Sequence, residues 1–258
     1  MSSRPRRALS QLQERRLVDY LEDHFLDLTR NFKKRADPSS SVPTLSAFLA
    51  AAHTLLSLIL QIPPIDPSAS LRTTFLLRLT GDVMDAIPGY KPGALSDANH
   101  GVLQDLLRWL EDLDNAWLTV LRSQVWDVDR REGVDLVLEV QADADADEGS
   151  TGELSVNGKR LKSTPPTQTE RTRLRSLLIG GTAKMEEWMA ELSVAGQRQQ
   201  QGATSSDPGD GSRTEDLESA LERMGLQQGF DDLFSGTLAE MGSLSAAVNV
   251  PEGMEGTC

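Results

Sequence analysis

The chain has 258 residues, a net charge of −13 and one cysteine, Cys258. That length suits one sizeable domain with tails or two small ones, and a single cysteine excludes a disulfide framework within the chain, so cytosol or nucleus is the expected compartment. The acidic balance argues against a broad nucleic-acid surface, because phosphate affinity rests on clustered cations.

Charge is unevenly spread. Residues 1–36 hold nine Lys/Arg against five Asp/Glu, and residues 197–258 hold three Arg against eleven Asp/Glu. No apolar segment follows residues 1–7, so no secretory signal is expected. The first helix is predicted over 10–34, with Leu17, Leu21, Phe25, Leu28 and Phe32 making one apolar stripe. Arg30, Lys33, Lys34 and Arg35 at its end are a candidate basic patch, against the plainer reading of a solvated helix end.

Residues 38–65 carry no Asp, Glu, Lys or Arg, and their centre, 45–62, is apolar on every side of a helix. Such a helix must be hidden in a core or a bilayer. A span is favoured by a length near the lower limit of roughly 17–25 residues and by the basic flank before it. A core is favoured by Ser46, His53, Thr54, Ser57 and Gln61 within the run, by the abrupt Pro63-Pro64 stop, and by neighbouring helices whose apolar faces need a partner. A buried helix is the leading expectation and a membrane anchor the alternative. His53 is expected to be a core or edge histidine bonded to backbone, since no second ligand stands at a metal-like spacing.

A third helix is predicted over 70–86, with Leu71, Phe75, Leu79 and Val83 spaced by four, ended by Pro88-Gly89. The fourth, over 103–125, is the most regular: Leu103, Leu106, Leu110, Leu113, Trp117 and Val120 form a seam of near-heptad period. Composition then shifts. Residues 135–140 alternate like a strand, and 153–162 contain Asn157-Gly158, a two-residue hairpin turn. Asp143, Asp145 and Asp147 in the acidic stretch between them have calcium-loop spacing, but Glu148 and Leu154 stand where such a loop needs Gly and Glu.

Thr167 and Glu170 form a capping box opening a fifth helix, with Leu174, Leu178, Gly181, Met185, Trp188 and Leu192 in register. Gly180-Gly181 at its centre predicts a close approach or a kink, since each glycine costs about 1 kcal/mol against alanine. Residues 196–213 read as a flexible linker. Beyond it, 215–244 is amphipathic: Leu217, Leu221 and Met224 make one stripe, and Phe230, Leu233, Phe234, Leu238 and Met241 another, divided by Gly225 and Gly229.

Catalytic signatures are missing. Gly180 to Lys184 lacks the G-x-x-x-x-G-K-[ST] pattern, and no G-x-S-x-G, H-E-x-x-H, C-x-x-C or G-x-G-x-x-G occurs. His24, His53 and His100 fall on separate elements, so neither a metal nor a cofactor is expected. The sharpest positive signal is the acidic C-terminal segment: Phe230, Leu233, Phe234, Leu238 and Met241 suit a groove on a protein partner, unless they dock back on their own bundle.

Residues 29–35, 75–82, 117–126 and 164–178 are similar to those of an uncharacterised family of fungal proteins, some of whose members carry a meiotic-recombination label. The resemblance covers most of the chain outside the linker and termini and implies no site residues. It finds no support as a recombinase, because an ATP-driven strand-exchange enzyme needs a phosphate loop on an α/β sheet.

The resulting expectation is an all-α bundle of about five helices over 1–195 with a small β-hairpin insertion near 134–163. A linker over 196–213 would tether an acidic amphipathic segment over 214–258. The expected function is a non-enzymatic protein–protein interaction or scaffold protein acting through that segment, and the alternative is membrane association through 45–62.

Overall fold

The structure, a computed structural model, describes residues 8–91, 100–135, 154–156, 159–161, 163–201 and 217–248. The acidic stretch with Asp143, Asp145 and Asp147, the expected strand at 136–140, the linker beyond Gln201 and the tail from Asn249 lie outside them.

Helix α1, Gln11–Lys33, opens on a capping box in which Gln13 N–H donates to Ser10 Oγ and the Gln13 side chain accepts from the Ser10 backbone. It buries Leu21, Phe25 and Leu28. Helix α2, Leu45–Leu60, is capped by Thr44, whose hydroxyl accepts from Ala47 N–H. Leu45, Phe48, Leu49, Ala52, Leu55, Leu56, Ile59 and Leu60 are all buried, and each large side chain contributes about 1.5–3 kcal/mol by leaving water. The all-apolar run is therefore the centre of the core. Among the described residues no helix is long and apolar enough to cross a membrane.

Helix α3, Ser68–Ala86, follows the proline-rich link, and a one-turn 3₁₀ helix, Ile87–Gly89, closes it. Helix α4, His100–Leu121, turns its whole seam inward: Leu103, Leu106, Leu110, Leu113, Trp117 and Val120 are buried, as are Leu107 and Trp109. Trp117 Nε1 donates to Thr80 Oγ1 at 3.0 Å, so the large ring enters the core with its polar atom satisfied.

The fourth helix stops four residues before its expected end. Ser123 takes a left-handed φ of 55° and Gln124 N–H folds back to Thr119 O, turning the chain into a hairpin. Strand β1, Val125–Asp127, pairs antiparallel with β2, Glu132–Val134. Sequence patterning gave no strand here, because three-residue strands are too short to alternate. The hairpin expected around Asn157-Gly158 is present: β3, Leu154–Val156, pairs antiparallel with β4, Lys159–Leu161.

Helix α5, Gln168–Gln201, starts on the expected capping box. It continues six residues into the stretch read as linker. Residues 197–201 (QRQQQ) have no apolar signal, but Gln and Arg are good helix formers, and the helix runs through Gly196 into them. The double glycine marks a close approach: a methyl group at Gly181 would lie 2.6 Å from Met84 Cε on α3, while nothing is within 4 Å of one at Gly180. The chain is thus an all-α bundle, α1 to α5, with small hairpins and a C-terminal helical segment.

Tyr90 ties the end of α3 to its neighbours. Its hydroxyl donates to Val42 O at 3.0 Å, its carbonyl accepts from Trp188 Nε1 at 2.8 Å, and its ring packs with Phe32 and Phe48. Burial pushes the Tyr90 hydroxyl up to about 12, against the opposing pull of Arg35.

Candidate docking seam and a buried ion-pair cluster

The C-terminal segment comprises α6, Leu217–Arg223, α7, Gln227–Asp231, and α8, Ser235–Val248. α6 ends in a Schellman turn: Gly225 adopts φ 67°, its N–H reaches Glu222 O, and Leu226 N–H reaches Leu221 O. Leu221 and Leu226, brought together by that turn, are both buried.

Phe230 to Met241 was expected as a single helical stripe. The structure breaks it at Asp232–Phe234, and Phe234 takes φ 59°. The cause is a cap supplied from another helix. Asp114 on α4 accepts Thr237 N–H on Oδ1 at 3.1 Å, and its backbone carbonyl accepts the Thr237 hydroxyl at 3.3 Å. A carboxylate over the first turn of α8 satisfies an otherwise orphaned N–H and complements the helix dipole. A bulky side chain with positive φ is disfavoured by about 1–2 kcal/mol, and Phe234 holds it with a ring only 1% exposed.

Two glycines let the segment approach the side chains of α4 closely. A methyl group at Gly229 would lie 2.5 Å from Leu107 Cδ2, and one at Gly236 would lie 3.0 Å from Asp114 Oδ2. Further along, Arg122 donates through Nε and Nη2 to Glu240 Oε2 at 2.9 and 2.7 Å. His100 Nε2 lies 3.2 Å from Met224 O, so this nitrogen carries the proton. The seam therefore joins His100, Leu107 and Asp114 of α4, and Arg122 just past its end, to four successive points of the segment.

The five apolar residues singled out in the sequence all turn toward this seam or the core behind it. Phe234 and Met241 are buried, and Phe230, Leu233 and Leu238 are half-buried against the same cluster. The groove they occupy belongs to their own chain. Asp114, Thr237, Arg122 and Glu240 carried no sequence signal, because each is an ordinary surface type until the fold pairs it. Gly229 did carry one, as an interruption of an apolar stripe.

Of the four basic residues, Arg35 is taken up in local contacts. Arg35 donates through Nε to Gly89 O at 2.9 Å, and its guanidinium lies 4.6 Å from the Phe32 ring centre. Arg30 sits 3.8 Å from Asp27, and Lys33 and Lys34 are exposed at the end of α1.

A second cluster lies on the other side of α4. The buried Asp112 carboxylate meets Arg131 Nη1 at 3.2 Å and His53 Nε2 at 3.4 Å, both on Oδ2, and His53 Nδ1 stands 3.5 Å from Ser57 Oγ. His53 thus faces a carboxylate rather than the backbone partner expected for it. The order Ser57, His53, Asp112 is that of a hydrolytic triad, but Ser57 lies one turn along the same helix from His53. An open groove of about 390 Å³ lies elsewhere, between α1 and α3, lined by Glu14, Arg15, Pro67 and Leu71. The cluster ties α2, α4 and the β1–β2 turn together. Among the described residues no group of three or more His, Cys, Asp or Glu is arranged to hold a metal ion. On α3, burial raises the Asp82 carboxyl, Arg78 opposes this, and Asp85 and Glu22 add to it.

No family model, curated protein or solved structure matches this chain.

Proposed function

We propose that the chain is a non-enzymatic protein–protein interaction module of scaffold type, working through α6–α8, which its own α4 and α5 hold until a protein partner takes it. The observation that supports this is the construction of the seam. Besides the buried Leu221, Leu226, Phe234 and Met241, α6–α8 are fastened by separate polar anchors, among them an Arg122–Glu240 pair whose guanidinium is half exposed. Phe230, Leu233 and Leu238 are half-buried, and the carboxylates Asp231 and Asp232 flank them. That is the pattern of an amphipathic helix laid into a groove. The lone cysteine fits a cytosolic or nuclear setting.

Storage in cis sets the affinity. If the segment is docked 99% of the time, a partner binds it about 100-fold more weakly than it would bind the free segment. Releasing the segment is then equivalent to activating the module.

The test is affinity capture from detergent-free lysate with three forms: full-length chain, a 1–201 truncation and Gly229→Ala. The truncation is expected to lose its partners. Gly229→Ala, which drives a methyl group into Leu107, is expected to recover more of them. Retention of every partner by 1–201 overturns the reading.

A further inference from the structure

We propose that the α4 face also receives the C-terminal segment of a second copy of this chain, so that two molecules exchange α6–α8 and close as a two-fold dimer. This rests on reading α6–α8 as an exchangeable element. Four contacts of the seam each join a residue of the body to a residue of the segment: His100 to Met224, Leu107 to Gly229, Asp114 to Thr237, Arg122 to Glu240. A second copy presents both halves, so exchange preserves each of these contacts and closes with two chains.

The seam is specific enough to prefer this occupant. Asp114 requires a helix whose first turn brings a free N–H and a small residue close to α4. At the crossing any side chain larger than glycine would press on the Leu107 methyl groups, and Arg122 needs a carboxylate one turn beyond the capped residue. The segment of this chain meets all three demands at fixed spacing: Gly229, then Gly236-Thr237, then Glu240.

The connection is long enough. Residues 202–216 are fifteen residues rich in Gly and Ser, able to span up to about 50 Å when extended. Helix α4 itself is 22 residues long, or about 33 Å. A flexible connection of this length would hold the segment in cis at an effective concentration of about 1 mM, so the monomer is expected to dominate when the chain is dilute.

Charge reversal makes the exchange readable. Arg122→Glu alone sets two carboxylates against each other across the seam, and Glu240→Arg alone sets two guanidinium groups against each other. Mixed together, the two variants restore opposite charges at both seams only by exchanging segments. Light scattering with native mass spectrometry is expected to show each variant alone at the chain mass of 28.2 kDa and the equimolar mixture at twice that mass. The double variant R122E/E240R regains its cis pair and is expected to stay at the single mass. A mixture that keeps the monomer mass, with both variants retaining wild-type helicity by circular dichroism, overturns the proposal. Wild-type chain, which needs no substitution to fold, is expected to gain dimer with concentration. A strictly monomeric mass up to about 1 mM, the concentration set by the tether, overturns it equally. Partner capture that depends on α6–α8 survives either failure, so the two readings fall separately.

Discussion

Adjacent glycines in one helix meet opposite surroundings. Gly180 has open space where a side chain would go, and Gly181 has Met84 Cε, Cγ and Cβ at 2.6, 2.9 and 3.0 Å. The far end of Met84 can swing away, but its Cβ moves only if α3 and α5 separate. Gly180→Ala is therefore expected to stabilise the fold by about 0.5–1 kcal/mol through helix propensity. Gly181→Ala is expected to destabilise it by about 1–3 kcal/mol through overpacking. Urea denaturation of both variants checks the pair, and equal effects would mean that α5 does not press on α3 at this point. Tyr90 offers a second residue-scale prediction. Its hydroxyl is raised from 10.0 to about 12, so the folded chain keeps the proton where the unfolded chain has lost it. The resulting stability is fully present below pH 10 and is lost as pH rises from 10 through 12. Tyr90→Phe is expected to cost about 0.5–1.5 kcal/mol at neutral pH by leaving Val42 O without its donor, and to flatten the decline of Tm between pH 10 and 12. An unchanged alkaline slope in the variant would show that other groups set it.

At the scale of elements, what could be read depended on whether the cause was local. The α4 seam, the Thr167–Glu170 box and the pairing of β3 with β4 are written in neighbouring residues, and all three appear as expected. The end of α5 was misplaced because QRQQQ is helical by propensity and silent by hydrophobic pattern. The break at Asp232–Phe234 was illegible for a different reason. The residue that starts α8 is Asp114, more than a hundred positions away in the chain, so no window around Phe234 contains the cap. The five apolar residues of the candidate site were legible as a set, but their polar partners were not. Hydrophobic periodicity shows that a face needs covering, and the identity of the cover is settled by tertiary contacts such as Arg122–Glu240. The same limit applies to His53, whose carboxylate partner lies on another helix 59 positions along the chain.

For the molecule as a whole, α4 packs on one side against the bundle and on another against the C-terminal segment, and one apolar core runs through both. One side faces the bundle, with Leu103, Leu106, Leu110, Leu113 and Trp117 at 0 or 1% exposure. The other carries α6–α8 through the buried Phe234 and Met241, the half-buried Phe230, Leu233 and Leu238, and the partly exposed Arg122–Glu240 pair. Segments fastened in that way open at lower free energy than the core they sit on. Amide hydrogen exchange on the full-length chain is expected to show α2 protected up to the global unfolding limit and α7–α8 exchanging through a cheaper, separate opening. Arg122→Glu is expected to speed exchange in α7–α8 several-fold while leaving α2 unchanged, because the substitution weakens one anchor of the seam and touches nothing in the bundle. Equal protection of α2 and α8, with both responding alike to the substitution, would mean that the segment and bundle unfold as one unit. The chain would then have no stored element to hand to a partner, and α6–α8 would be part of its structural core.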